Sequence, residues 1–163
     1  MAHSETLGKT SEDEESTIVG VRGNKMKQVT LTANQDNVMD VLSFVRSSLM
    51  ELGCPKHVIG NVVLAVEEAF VNIALYAYAP NEGEMSLTIE GNENPTSVSL
   101  TFRDHGVPFN PLARAEPDIT LPGQERPIGG LGILMYKRLM DEVTYEYADG
   151  QNILTFKKRY LHQ

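Results

Sequence analysis

The 163-residue sequence contains a single cysteine, Cys54, so no disulfide can form within the chain. A reducing cytoplasm is the location that this implies. Cys54 sits in a Gly53-Cys54-Pro55 turn with no histidine arranged around it, which argues against a catalytic thiol. Basic residues are scarce too: 14 Lys and Arg stand against 22 Asp and Glu, a formal charge of −8. Nucleic acids and anionic membranes are bound through basic patches, so neither is expected as a direct partner. A nucleotide is not excluded, because backbone N–H groups and a metal ion suffice to hold a triphosphate. No apolar run is expected to reach the ~20 residues that cross a bilayer. The first 16 residues, MAHSETLGKTSEDEES, lack the apolar segment of a secretory signal, and internal repeats are absent.

What is present suits one domain with a single core: 41% of residues are hydrophobic. Residues 1–16 are polar and predict a disordered tail; residues 17–163 predict the domain. Ile18–Val21 and Lys27–Ala33 read as strands. Over Asn34–Leu52, Val38, Val41, Leu42, Val45, Leu49 and Leu52 recur at helical spacing, with Asn34 or Asp36 as cap and Gly53-Cys54-Pro55 as stop. A more apolar helix runs from about Lys56 to Ala79. Met85–Gly91 and Val98–Arg103 alternate as strands on either side of Asn92-Glu93-Asn94-Pro95. Between Asp104 and Gly130 lie five prolines, Pro108, Pro111, Pro117, Pro122 and Pro127, a length and composition that suit a lid over about 110–128. Leu131–Met140 reads as a short helix. Val143–Tyr147 and Asn152–Lys158 read as a hairpin around Asp149-Gly150. Hairpins with helices grouped between them predict an α+β fold whose sheet is covered by helices on one face.

Three stretches carry chemistry. On the apolar helix, Glu68 and Asn72 are four residues apart and share a face. A carboxylate there can take a proton, and an amide oxygen can ligate a hard cation such as Mg²⁺. On spacing alone the pair equally describes an ordinary, partly exposed helix face. Glu67 lies about 100° round the helix from Glu68. In Phe102-Arg103-Asp104-His105-Gly106-Val107-Pro108-Phe109, a strand ends in a carboxylate followed by a glycine turn. Asp104 there can accept from an adenine amino group or simply cap its own turn. Gly129-Gly130-Leu131-Gly132-Ile133 places glycines at a helix start, where free N–H groups favour anions.

In this order the stretches EEAFVNIALYAY, FRDHGVPFNPL and RPIGGLGILMYKRLMDEVTYEY resemble the N box and two glycine boxes of the GHKL (Bergerat) ATP-binding superfamily. They match best the small anti-sigma-factor serine kinases of the RsbW and SpoIIAB type, over about residues 27–160. The resemblance implies a two-layer α/β sandwich with a mixed, mostly antiparallel sheet, helices on one face and an ATP lid. It implies ATP and Mg²⁺ as cofactors, Glu68 as general base and Asn72 as the Mg²⁺ ligand. Asp104 is then the adenine acceptor, Gly106 gives the base room, and Gly130, Leu131 and Gly132 form the phosphate turn. One position departs: the family often has His where this chain has Tyr76. Arg126 reads as a solvated lid arginine or a phosphate contact, and His105 as a turn histidine facing water or a contact to the base.

The function implied is that of an anti-sigma factor and protein serine/threonine kinase that phosphorylates a STAS-domain anti-anti-sigma protein. It also sequesters a sigma factor and forms a homodimer, with no direct nucleic-acid or membrane contact. The alternative is a non-catalytic ATP-binding module whose lid selects protein partners. A third reading, a simple ATPase or a piece of a histidine-kinase system, lacks a phosphoacceptor helix: residues 34–52 contain no histidine, and His57 starts the next helix.

Overall fold

A computed structural model describes residues 17–20, 25–93, 96–113, 120 and 130–161. The expected tail and most of the expected lid, with Arg126, lie outside these residues. The chain runs β1 (Thr17–Gly20), β2 (Met26–Thr32), α1 (Val38–Glu51), α2 (Lys56–Tyr76), β3 (Glu84–Glu93), β4 (Thr96–Asp104), α3 (Leu131–Leu139), β5 (Glu142–Ala148) and β6 (Gln151–Arg159). The strands form one six-stranded sheet in the order β1-β2-β3-β4-β6-β5. Every described pairing is antiparallel, whereas the sequence reading allowed a mixed sheet.

Alternation along the strands decides which face is covered. Met85, Leu87 and Ile89 of β3, Leu100 and Phe102 of β4, and Leu154 and Phe156 of β6 point to the helices and are buried. Each such aliphatic or aromatic side chain contributes about 1.5–3 kcal/mol when removed from water. Phe156 is the hub: its ring stands edge-on to Phe102 at 5.3 Å and packs against Tyr136 of α3 at 4.8 Å. The opposite face carries polar residues such as Gln28, Thr88 and Thr101.

Local chemistry sets the boundaries. Asn34 accepts from the Asn37 N–H at 3.0 Å and caps a single 3-10 turn, Gln35–Asn37, so α1 starts later than the sequence spacing indicates. At the other end, Gly53 is left-handed (φ 76). Its N–H bonds the Met50 carbonyl, and the Cys54 N–H bonds that of Leu49, which together close a Schellman motif. Asp149 and Gly150 both have positive φ (54 and 74), as the tight turn between β5 and β6 requires.

The expectation about apolar runs needs correcting at α2. Its 21 residues are long and apolar enough, by composition, to cross a bilayer. In the fold this helix is the central one of the covering layer. Val58, Val62, Ala65, Val66, Ala69 and Phe70 are buried in the common core. Burial on one face explains the run of apolar residues, and Glu67 and Glu68 remain on half-buried positions.

Candidate functional site

The sheet and helices leave a cavity of about 460 Å³ at one end of the layer interface. Asn72, Ile73 and Tyr76 of α2 form one wall. Ile133 and Tyr136 of α3 form another, and Asp104, Asn152 and Leu154 reach it from the sheet. Val107, Phe109, Pro111 and Gly130 belong to its rim. Three of the residues singled out from the sequence therefore line one space: Asn72, Asp104 and Gly130. Apolar walls around one carboxylate suit a flat heterocycle that carries a donor.

Asp104 is the last residue of β4 and only 4% exposed. Its Oδ1 accepts from the Gly106 N–H at 2.9 Å and from Nδ2 of Asn152 at 2.9 Å. Asn152 is the register partner of Asp104 on β6. The rest of the Asn152 amide binds the turn: Nδ2 also donates to the Val107 carbonyl at 2.9 Å, and Oδ1 accepts from the Phe109 N–H at 3.0 Å and from the Tyr145 hydroxyl. Burial is the main cause that raises the pKa of Tyr145, which keeps it in the donor form.

Gly106 is tight for a reason the sequence did not reveal. A Cβ there would lie 2.3 Å from the Ala77 carbonyl oxygen, at the end of α2. The next N–H, of Val107, donates to that same oxygen at 2.9 Å. The room at Gly106 is thus taken by α2 backbone, whereas the sequence reading gave it to the base. Tyr78 ties the same turn from outside, accepting from the His105 N–H at 2.7 Å and donating to the Glu84 carbonyl. His105 is exposed, with its ring 3.1 Å from the Gln151 amide.

Glu68 does not line the cavity. It lies one turn before Asn72 and reaches over the first turn of α3, where a Cβ on Gly132 would fall 2.3 Å from Glu68 Oε2. Neither Glu68 nor Asn72 makes a hydrogen bond with another described residue. Gly130 (φ 90) is the N-cap of α3, and among the described residues no side chain caps it, so none of them takes up the first N–H groups of the helix. Leu131 beside it is exposed. Anions are favoured at such a terminus. Tyr76, where the family often has His, is 60% exposed at the cavity mouth.

A magnesium ion fits this donor set. Among the described residues no three His, Cys, Asp or Glu side chains gather to hold a metal, and Asn72 offers one oxygen. Mg²⁺ commonly takes one or two protein oxygens and completes its shell with water and phosphate.

Residues 31–158 match the model of the histidine kinase-like ATPase domain. The chain belongs to that family. This ATPase domain is similar to the serine-protein kinase RsbW of Bacillus thuringiensis, at 29% identity over 61% of the chain and 63% of the relative. It is similar in the same proportions, at 30% identity, to RsbW of Bacillus cereus. The match thus spans under two thirds of those kinases. In fold it is similar to the crystal structure of the RsbU and RsbW domains of a Mycobacterium tuberculosis protein. That similarity has a TM-score of 0.59 and 19% identity over 82% of this chain and 32% of that one.

Among the cavity residues of the ATPase domain, Tyr136, Tyr145 and Asn152 were not read as site residues in the sequence. For Asn152 a signal existed. Asn152, Leu154 and Phe156 alternate on the covered face of β6, and an amide on an apolar strand face needs partners. Tyr136 carried none, since an aromatic at helical spacing reads as core.

Proposed function

We infer that the chain is an ATP- and Mg²⁺-dependent protein serine/threonine kinase of the anti-sigma type, acting on a STAS-domain anti-anti-sigma protein. The observation that carries this reading is the meeting of Asp104, Asn72 and Gly130 around one cavity, with Glu68 one helical turn away. The similarity to proteins named serine-protein kinase supports the reaction class. Partner sigma factor, homodimer and cytoplasmic location belong to the same proposal.

Asp104 Oδ2 accepts from the purine amino group, because Oδ1 is already engaged. Ile73, Ile133 and Leu154 exclude water around the ring. Free N–H groups at Gly130 and the first turn of α3 hold phosphate oxygens. Asn72 supplies its amide oxygen to Mg²⁺, which when bound neutralises phosphate charge. Glu68 takes the proton of a serine or threonine hydroxyl as its oxygen bonds to the terminal phosphorus and the bond to the ADP oxygen breaks. Phosphoserine or phosphothreonine and ADP are the products. A positioned base contributes about 10²–10⁴ in rate.

The test is incubation with γ-labelled ATP, Mg²⁺ and the STAS protein, for the wild type and Glu68→Ala. Label on a partner serine or threonine, lost in Glu68→Ala while ATP still binds, is the expected result. Unlabelled partner with ATP binding intact, or regulation that survives in Glu68→Ala, would support the non-catalytic module instead.

A further inference from the structure

Asp104 can face a ligand only if its carboxylate is held still, and the hydrogen bonds around it show what holds it. Of its two oxygens, Oδ1 takes both the Gly106 N–H and the Asn152 amide, and Oδ2 carries no hydrogen bond with a described residue. Gly106 N–H is a local bond within the turn. Asn152 is the one side chain on the described residues that donates to Asp104 from another strand, 48 residues away in sequence.

The orientation of the Asn152 amide is forced by its neighbours. Phe109 N–H is a donor only, so it must meet Oδ1; the Val107 carbonyl is an acceptor only, so it must meet Nδ2. Tyr145 adds its hydroxyl on the Oδ1 side. A flipped amide would set N–H against N–H at Phe109 and oxygen against oxygen at both Val107 and Asp104. At 7% exposure, Asn152 cannot exchange these partners for bulk water.

We propose that Asn152 is the positioning residue for base recognition: it holds Asp104 with Oδ2 aimed into the cavity and so sets selectivity for purines that carry a 6-amino group. It does not touch the reacting phosphate and acts through Asp104. The same amide also accepts from the Phe109 N–H and so fixes the turn after β4. This inference rests on the nucleotide-binding half of the function proposed above, and is independent of phosphoryl transfer.

The test is calorimetric binding of two nucleotides to the full chain: ATP, and purine riboside triphosphate, which has hydrogen in place of the 6-amino group. The wild type is expected to prefer ATP by about tenfold or more, the worth of one hydrogen bond to a charged group. In Asn152→Ser the preference falls towards one, because Asp104 is free to turn. A role in general stability would weaken both nucleotides alike and leave their ratio unchanged. If Asn152→Ser does not fold, Asn152→Asp at pH 8 serves: it has the same shape and keeps the acceptor for Phe109 and Tyr145, but sets oxygen against Asp104. The ratio is again expected to collapse. A wild-type ratio retained by either folded variant overturns the inference and leaves ATP binding standing. A wild type that binds neither nucleotide overturns both.

Discussion

The two ends of the site are built in opposite ways. At the Asp104 end, nearly every polar group is already satisfied. Asn152, Gly106, Val107, Phe109 and Tyr145 form a closed network, and Ala77 backbone fills the space beside Gly106. At the Glu68 end, the described residues leave groups open. Among the described residues, Glu68 and Asn72 make no hydrogen bond and no side chain caps the start of α3. The first end is pre-formed by strand register and costs little to organise when a ligand arrives. The second holds unsatisfied donors and acceptors that a ligand can complete. A rigid end that needs little reorganisation and an open end with groups left for a ligand divide selection from chemistry between them.

The sharpest way to separate the ends is Glu68→Ala. Loss of a positioned base predicts a fall of about 10²–10⁴ in partner phosphorylation, with ATP affinity changed by no more than a few-fold. Labelled-phosphate transfer and calorimetry on one preparation check it, and an equal loss in both would mean that the ends are not separable.

Breaking the closed end should instead cost folding. Asn152→Leu removes the cross-strand donor of buried Asp104, which keeps only the Gly106 N–H, and the amide contacts of the part-buried Val107 and Phe109 backbone groups. Loss of a buried polar partner costs about 1–3 kcal/mol. A destabilisation of about 1–3 kcal/mol is expected in urea unfolding. A variant as stable as wild type would show that water replaces the amide at no cost.

The two glycines give a finer comparison. In Gly106→Ala the new methyl meets backbone, the Ala77 carbonyl, which cannot swing aside, so a loss of about 1–3 kcal/mol is expected. In Gly132→Ala it meets the far end of the Glu68 side chain, which can. Helix propensity there favours Ala by up to about 1 kcal/mol. Thermal melts should therefore show Gly106→Ala below wild type and Gly132→Ala at or above it, while transfer in Gly132→Ala drops because Glu68 has been moved.

The smallest effect lies away from both ends. Burial of Tyr160 pushes its pKa up from 10.0 to about 12, and burial raises that of Cys54. Both groups keep their protons longer in the folded state than in the unfolded one. The stability this contributes is complete below the unfolded pKa values and is lost as pH rises, for Tyr160 between about 10 and 12. Melting temperatures measured from pH 8 to 11 should decline on the alkaline side, and a flat profile would contradict the assignment.

Much of this was legible because short-range signals repeat. Helical spacing in α1, alternation in β3 and β4, and the Asp149-Gly150 turn each express a local backbone preference, and the observed elements follow them within a few residues. Glu68 and Asn72 were legible as a pair for the same reason: four residues on a helix is a contact in sequence. The register of β4 against β6 was not. Which residue lies opposite Asp104 depends on how two strands 48 residues apart align, and a slip of one residue would have put Ile153 there instead.

The amino-acid sequence by itself determined the element types, the single-core α+β layout and the three stretches that carry the chemistry. These depend on periodicity, capping and turn residues, which act over a few positions. Only the tertiary structure decided that Asn152 holds Asp104, that Gly106 is kept small by Ala77, and that Gly132 clears a path for Glu68. Those facts are set by close packing between segments far apart in the chain, where tenths of an ångström count and local preference carries no information.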